Sequence, residues 1–395
     1  MKILMITPYV PYPPASGGQI RTLNLLKYLH EKHYVVLVAL SKNPHDNQYK
    51  TALLEYCDEV HICRRPEKPW QIKNILRWLF SSKPFLVVRN YSAEASRTIS
   101  SILKQQEFDV IHCETFYVMP HVPKTDTPIL LVEQTIELDV YKHFVDSRPF
   151  FMRPFLNLDI AKLRYWEAAY WKKAALVATV SEEDKQRVSQ IAPTIKPIIV
   201  PNGAGSDMVI DELPSKEHGE KILLFQGNFS WLQNIEAANY LIQNIVPALV
   251  ARHPDVHLKI AGQHAGKIPA SEHVQIVEIQ NDDVATVKKL YLTSSIFLAP
   301  IFGPGGTRLK ILAAMACGLP IISTTTGVTG LAVQNGKHVL LANTPTEFVD
   351  NISLLLRDNQ LYQTLRTEAF SLIHDQYNWK AIAKKLEIAY VRVNQ

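Results

Sequence analysis

Cysteine is scarce in this chain, four in 395 residues, and none stands in a Cys-x-x-Cys pair. That argues against a zinc site and a disulfide framework. Cys57, Cys63, Cys113 and Cys317 read instead as buried thiols in a reducing cytoplasm. No apolar run reaches the roughly 18 residues of a membrane span. No signal peptide is expected, since Met1 leads straight into the apolar run KILMIT. There is no internal repeat, no low-complexity segment and no cluster of metal-ligating residues. Charge is also in short supply: the net is +5, and its spread is uneven. Residues 1–200 hold 26 Lys and Arg against 20 Asp and Glu, and the remainder holds 16 against 17. A basic first half suits an anionic partner, but the bias is too weak for a nucleic-acid protein, so none is expected.

What is present is a long α/β pattern, and a chain of this length exceeds one ordinary core, so two domains are expected. The stretch that organises it is FGPGGTRLKILAAMACGLPII, Phe302–Ile322. The run Ser295–Pro300 before it reads as a strand. Gly303, Pro304, Gly305 and Gly306 form a turn. Leu309, Leu312, Met315 and Ala316 then recur at helical spacing until Gly318 and Pro320 end the helix. Ile321–Thr326 reads as a buried strand. Glycines let a ligand approach the backbone, and a helix start favours phosphate. Thr307, Arg308 and Lys310 add a hydroxyl and two cations there, Arg for bidentate contact and Lys as a point charge. The pattern suits a diphosphate cradle; a tight turn entering a core helix would use the same residues.

In the first half, Lys2–Thr7 and Tyr34–Leu40 are continuous apolar runs, and the spacing predicts a helix over Gln19–Lys32 between them. Such runs alternating with helices imply a parallel sheet covered on both faces. Ligands of such sheets bind at the carboxyl ends of the strands. Gly17 and Gly18, with Arg21 one turn on, lie in that position after a proline-rich loop. Asp109–Cys113 and Pro128–Val132 are further strands, ending near His112, Glu114, Gln134 and Glu137. An amphipathic helix is expected over Leu156–Lys173. A strand over Leu176–Val180 follows, and then a helix capped by Ser181. Arg64–Arg89 sets seven cations and one acid, Glu67, among Trp70, Trp78, Ile72, Leu76 and Phe80. A basic helix of this kind can lie on an anionic membrane surface; a core-facing helix with a solvated basic side is the alternative.

The pattern restarts at Lys221–Gln226, closed by Gly227 and Asn228. A helix over Asn234–Ala251, strands over Leu258–Ala261 and Val274–Glu278 and a helix over Asp283–Leu292 complete the second half before the organising stretch. Three helices finish the chain: Glu347–Leu356, Leu361–Asp375 and Trp379–Val393. The boundary is expected between Pro193 and Gly205, giving domains 1–195 and 196–376 with a tail at 377–395. The fold class is therefore α/β with two Rossmann-like domains, and an interdomain cleft is the default ligand site.

Taken in order, Gly17–Gly18 with Arg21, VATVSEED, VPNG, LLFQGNFSWLQNIEAANYL, LKIAG and GPGGTRLKILAAMACGLPIIST resemble the family-four retaining glycosyltransferases of GT-B fold, over nearly the whole chain. The resemblance implies transfer of a sugar from a nucleotide-diphosphate sugar, as co-substrate, to a glycan or lipid-linked acceptor. It implies no cofactor and no bound metal, because cations and helix N-termini neutralise the leaving diphosphate. It also implies a last helix that returns to the first domain. Donor-binding residues carried over are Gly17, Gly18, Gly227, Asn228, Gly305, Gly306, Thr307, Arg308, Leu309, Lys310 and position Ala313. Arg308, Gln134 and Glu137 take the catalytic positions, and Arg21, His112 and Glu114 the acceptor side. The expected setting is cell-surface polysaccharide or glycoconjugate synthesis at the inner membrane face, with 64–89 touching anionic lipid.

Two positions depart from the family. Its cradle helix usually reads Glu-Ala-Met-Ala, the Glu holding the donor ribose, where this chain has Ala313–Ala314–Met315–Ala316. The earlier acid of the family corresponds to Gly305, as in relatives with a GGTRLK turn. A His commonly follows the strand ending at Val132, where Gln134 stands here. Losing a carboxylate contact to ribose costs about 1.5–3 kcal/mol of donor binding. A donor-binding pseudo-glycosyltransferase and a nucleotide-sugar epimerase of the same fold therefore remain as alternatives.

Overall fold

The computed structural model describes residues 1–68, 71–215, 221–280, 283–303 and 307–394. The chain forms two compact units. The first comprises the described residues of Met1–Pro14, Gly18–Pro201 and Lys380–Gln395, and the second those of Ala15–Gly17 and Asn202–Trp379.

In the first unit the order is β1 (Lys2–Thr7), α1 (Gly17–Leu29), β2 (Tyr34–Ser41), α2 (Lys50–Leu53), β3 (Glu59–Arg64), α3 (Ile72–Leu79), α4 (Phe85–Asn90) and α5 (Ala93–Gln105). Then come β4 (Val110–Glu114), β5 (Ile129–Glu133), α6 (Glu137–Asp146), α7 (Arg153–Lys173), β6 (Leu176–Thr179), α8 (Glu182–Ile191) and β7 (Ile198–Ile199). The strands make one parallel sheet in the order β3-β2-β1-β4-β5-β6-β7. Ile3 pairs with Val35 on one side and Val110 on the other. Apolar runs such as Val35–Leu40 are buried throughout because helices cover both faces.

The second unit runs β8 (Ile222–Gln226), α9 (Leu232–Tyr240), α10 (Val246–Arg252), β9 (His257–Gly262), β10 (Val274–Glu278), α11 (Val284–Thr293), β11 (Ile296–Ala299), α12 (Leu309–Ala316), β12 (Ile321–Ser323), β13 (Leu340–Leu341), α13 (Pro345–Arg357) and α14 (Asn359–Gln376). Its sheet order is β10-β9-β8-β11-β12-β13, again parallel. The closing helix α15 (Trp379–Val393) lies in the first unit from Lys380 on, with Ile382, Leu386 and Tyr390 fully buried.

Both sheets reverse their strand order once, between β1 and β4 and between β8 and β11. At such a switch point two neighbouring strand ends diverge, which opens a crevice for ligand. The fold thus places the ends of β1 and β4 together in one unit, and of β8 and β11 in the other.

Several local expectations are corrected. The helix expected over Asn234–Ala251 is broken by a π turn at Leu241–Ile245, and Pro247 at the start of α10 explains it. Proline has no N–H to donate and crowds the carbonyl four residues back, so the ladder widens there. The strand expected to reach Thr326 ends at Ser323, where the Thr324 hydroxyl donates to Ile301 O and accepts the Gly327 N–H. Residues 64–89 are no single helix: Pro84 stands before α4 and separates it from α3. The helix α12 starts at Leu309, so Thr307 and Arg308 precede it.

One glycine is fixed by geometry. Gly262 has φ +144°, and a Cβ there would lie 1.8 Å from the Gly227 carbonyl oxygen. Gly262→Ala is expected to cost more than about 1 kcal/mol through strain and this clash. Urea unfolding measures it, and an unchanged midpoint contradicts the packing.

Candidate active site

The switch point of the first unit holds a buried polar network. Glu114, the last residue of β4, is fully buried. It accepts from Gln134 Nε2 at 2.5 Å and from His112 Nε2 at 3.1 Å, with Arg21 Nε at 3.6 Å. A carboxylate can only accept, so His112 carries its proton on Nε2 and Nδ1 accepts from the Tyr390 hydroxyl, 2.6 Å away. Burial raises the Glu114 carboxyl, but Arg21, His112 and Gln134 outweigh it and hold the group at about 2. Arg21 is itself fully buried and donates to Val200 O (3.1 Å) and Pro201 O (2.9 Å). The expected acceptor-side residues Arg21, His112 and Glu114 are therefore brought together with Gln134, as a foundation beneath a surface rather than as exposed groups.

Gln134 Nε2 also donates to the Tyr9 hydroxyl at 2.7 Å. Both amide N–H groups are thus committed, and the Oε1 carbonyl is the atom Gln134 has left to offer a ligand. Tyr9 was not among the residues expected from the sequence. It stands two residues after β1, and Gly18 makes room for it: a Cβ on Gly18 would lie 2.5 Å from the Tyr9 hydroxyl.

Beside the network lies a second group of carboxyls. Glu167, inside α7, accepts the backbone N–H of Glu137 (2.9 Å) and Leu138 (3.3 Å), capping the start of α6 where Ile136 has no polar side-chain atom to do so. Trp171 Nε1 donates to Glu133 at 2.8 Å. Burial, and then the neighbouring carboxyls, push Glu133 and Glu167 well above the ordinary range. Glu137 is raised to about 7 by burial, with Arg89 pulling the other way. A carboxyl poised near neutrality suits proton transfer. Glu167 also went unread in the sequence. The available signal was a charge at helical spacing on the apolar face of Leu163, Tyr170 and Trp171.

Of the expected donor residues, Gly227, Asn228, Thr307, Arg308, Leu309, Lys310 and Ala313 belong to the second unit, while Gly18 lies in the first. Arg308 occupies the cap position of α12, and its Nη2 donates to Gly303 O at 2.7 Å. Lys310 is half-buried, its Nζ donating to Asn234 Oδ1 at 2.6 Å and standing 4.9 Å from the centre of the Phe225 ring. Burial, then the Arg308 charge, lowers its ammonium to about 7. The Thr307 hydroxyl is buried and has no hydrogen-bond partner among the described residues. Gly227 leaves space for Lys310, since a Cβ there would lie 2.9 Å from Lys310 Nζ. Asn228 shapes the turn: its Oδ1 accepts from Ser230 N (2.9 Å), and its amide N–H meets Gln263 Oε1. Gly17 groups with this unit, and a Cβ on it would lie 3.2 Å from Leu309 Cδ1. Ala313 is buried in α12, in the helix position after Leu312. Gly305 and Gly306 lie outside the described residues. Two cations and a spare hydroxyl at one helix start fit a diphosphate. No His, Cys, Asp and Glu group suited to a metal occurs among the described residues.

Two parallel Rossmann-like units of this kind are those of the GT-B fold class. The comparisons agree. Residues 15–205 match the family model described as Glycosyltransferase Family 4, and residues 220–358 match Glycosyl transferases group 1. Among solved structures, a sucrose-phosphate synthase from Thermosynechococcus elongatus superposes with TM-score 0.74 at 16% identity, covering 100% of this chain and 99% of its own. HepE of Anabaena, in complex with UDP and glucose, gives TM-score 0.66 at 14% identity, covering 99% of this chain and all of its own. A protein of 44.6 kDa in the cps region of Klebsiella pneumoniae is 22% identical over 96% of this chain and 97% of its own. The chain belongs to the family-4, group 1 glycosyltransferases.

The Glu114 carboxyl has a testable pH signature. Its folded value, about 2, lies below the ordinary 4.5, so its stabilisation is present above the ordinary value and is lost as pH falls toward 2. Glu114→Gln is expected to lower stability at neutral pH by about 3–5 kcal/mol, because the Arg21 charge keeps its burial and loses its carboxylate. The difference from the parent should shrink on acidification, which thermal melts across pH measure; a constant difference contradicts the buried ion pair.

Proposed function

We propose that this glycosyltransferase moves a sugar from a nucleotide-diphosphate sugar to a glycan or lipid-linked acceptor, with retention at the anomeric carbon and without a metal or cofactor. One observation carries the donor side. Arg308 and Lys310 sit at the start of α12 with a Thr307 hydroxyl that has no hydrogen-bond partner among the described residues, and burial, then the Arg308 charge, disfavours the Lys310 ammonium. A diphosphate brings negative charge to these cations, and the charge it develops on departure is what these groups stabilise. Arg308 offers a planar fork, Lys310 a point charge and Thr307 a hydrogen bond. Supporting this, the HepE neighbours are complexes with UDP-glucose and with UDP.

In the first unit the Gln134 carbonyl offers an acceptor for a sugar hydroxyl, fixed in place by Tyr9 and Glu114. Glu137, near neutral, is the carboxyl suited to take the acceptor's proton. The relative in the cps region supports a role in surface-polysaccharide synthesis.

A second reading is favoured by Ala313 and Gln134, where relatives have Glu and His: a donor-binding pseudo-glycosyltransferase. Ala313→Glu separates the two, since a transferase gains donor affinity and turnover and a scaffold stays inert. An epimerase is separated by product analysis, since it converts the donor with no acceptor present.

The test is a thermal-shift panel of nucleotide-diphosphate sugars in chelator. A specific shift is expected for one donor class. Arg308→Ala should weaken that binding by about 1.5–3 kcal/mol, the range for a charged hydrogen bond. No shift with any donor on folded protein overturns the reading.

A further inference from the structure

The helix α3 is built inside out. Among its residues only the polar Asn74 is buried. Ile72, Leu76 and Leu79, at positions i, i+4 and i+7, form an apolar stripe that faces water, Ile72 at 76% exposure. Phe80 follows at 90%. A second exposed apolar group enters α7: Phe150 (82%), Phe151, Phe155 (75%) and Leu158. Phe151, Phe155 and Leu158 repeat the same i, i+4, i+7 spacing.

These two groups are neighbours in the first unit. Trp78, expected on the lipid side, turns inward instead: its Nε1 donates to Asp159 Oδ1 at 2.6 Å, and its ring packs edge-on against Phe85. Lys162 Nζ donates to Trp78 O (3.2 Å) and Ser81 O (2.7 Å), and Trp166 Nε1 to Ser82 O (2.8 Å). Leu79 and Phe80 directly follow Trp78, and Leu158 directly precedes Asp159, so the exposed stripes adjoin. Trp70 lies outside the described residues.

Charge selects the occupant. Residues 71–83 and 147–158 carry Lys73, Arg77, Lys83, Arg148 and Arg153 and no carboxylate. A second copy docked by two-fold symmetry would set these cations against the same cations. A bilayer with anionic headgroups answers both features, taking the aromatic and aliphatic side chains below the headgroups and the cations among them. No helix among the described residues is long and apolar enough to cross a membrane.

We propose that α3 and the 150–158 entry into α7 form one docking surface for an anionic membrane. The contact is peripheral and independent of donor binding. It would bring the first unit to a lipid-linked acceptor.

The test is vesicle co-sedimentation of the full chain, with no donor or acceptor, on phosphatidylcholine alone and on phosphatidylcholine with phosphatidylglycerol. Binding is expected only with the anionic lipid and should weaken as salt rises. Phe80→Ser with Phe155→Ser, and separately Lys73→Gln with Arg77→Gln, should each lower it about tenfold or more. Melting curves check that these exposed substitutions leave the fold intact, and the lipid comparison on the parent chain decides without them. No binding, or equal binding to both vesicles, overturns the proposal. So does a dimer in sedimentation velocity that the phenylalanine variants dissociate while vesicle binding is unchanged. Donor-induced thermal shift is read on the same samples, so a failure here stays distinct from a failure of the transferase reading.

Discussion

Two like charges held close together, Arg308 and Lys310, are the constraint on the second unit. Arg308 and Lys310 stand at the start of one helix, and the turn after β8 crowds the lysine. A Cβ on Gly227 would press on the Lys310 and Asn234 side-chain ends, and Gly262 has to be glycine for the Gly227 carbonyl to pass. Burial and the neighbouring guanidinium bring the Lys310 ammonium down to about 7, so the free protein keeps the site short of its full positive charge. Under the proposed function, an arriving diphosphate would reverse that balance. The strand order that reverses between β8 and β11 puts this charge at a strand end, where a ligand can reach it.

The first unit solves the opposite problem. Its charge is internal and complete: Glu114 is answered by Arg21, His112 and Gln134. The closing helix takes part through Tyr390, whose hydroxyl donates to His112 Nδ1 once Glu114 has set the tautomer. That arrangement spends buried polar groups on orienting one amide, Gln134, whose carbonyl then has a single direction. Gln134 thus comes with its own support. Tyr9 and Glu114 each accept one of its N–H bonds.

Much of this was legible in the sequence. Continuous β-branched runs alternating with helices implied two parallel sheets, because such runs are stable only when covered on both faces. The glycine turns at Gly227 and before Thr307 marked the strand ends. What stayed hidden was mostly long-range. His112 meets Tyr390 across 278 positions, and no local pattern announces it. The edge strand Glu59–Arg64 alternates weakly and was not read. Glu167 looked like one charge of many on an amphipathic helix, and only burial shows that it caps α6. Trp78 was read as lipid-facing from its neighbours, and a single hydrogen bond to Asp159 turns it inward.

The central claim is that the charge at the start of α12 awaits a diphosphate. The most direct measurement is calorimetric titration of UDP near pH 8, about a unit above the Lys310 value of about 7, repeated in buffers of different ionisation enthalpy. Binding is expected to take up protons as Lys310 becomes charged, with the uptake abolished in Lys310→Met and binding itself lost in Arg308→Ala. Binding with no proton uptake, or with uptake unchanged in Lys310→Met, would contradict the account.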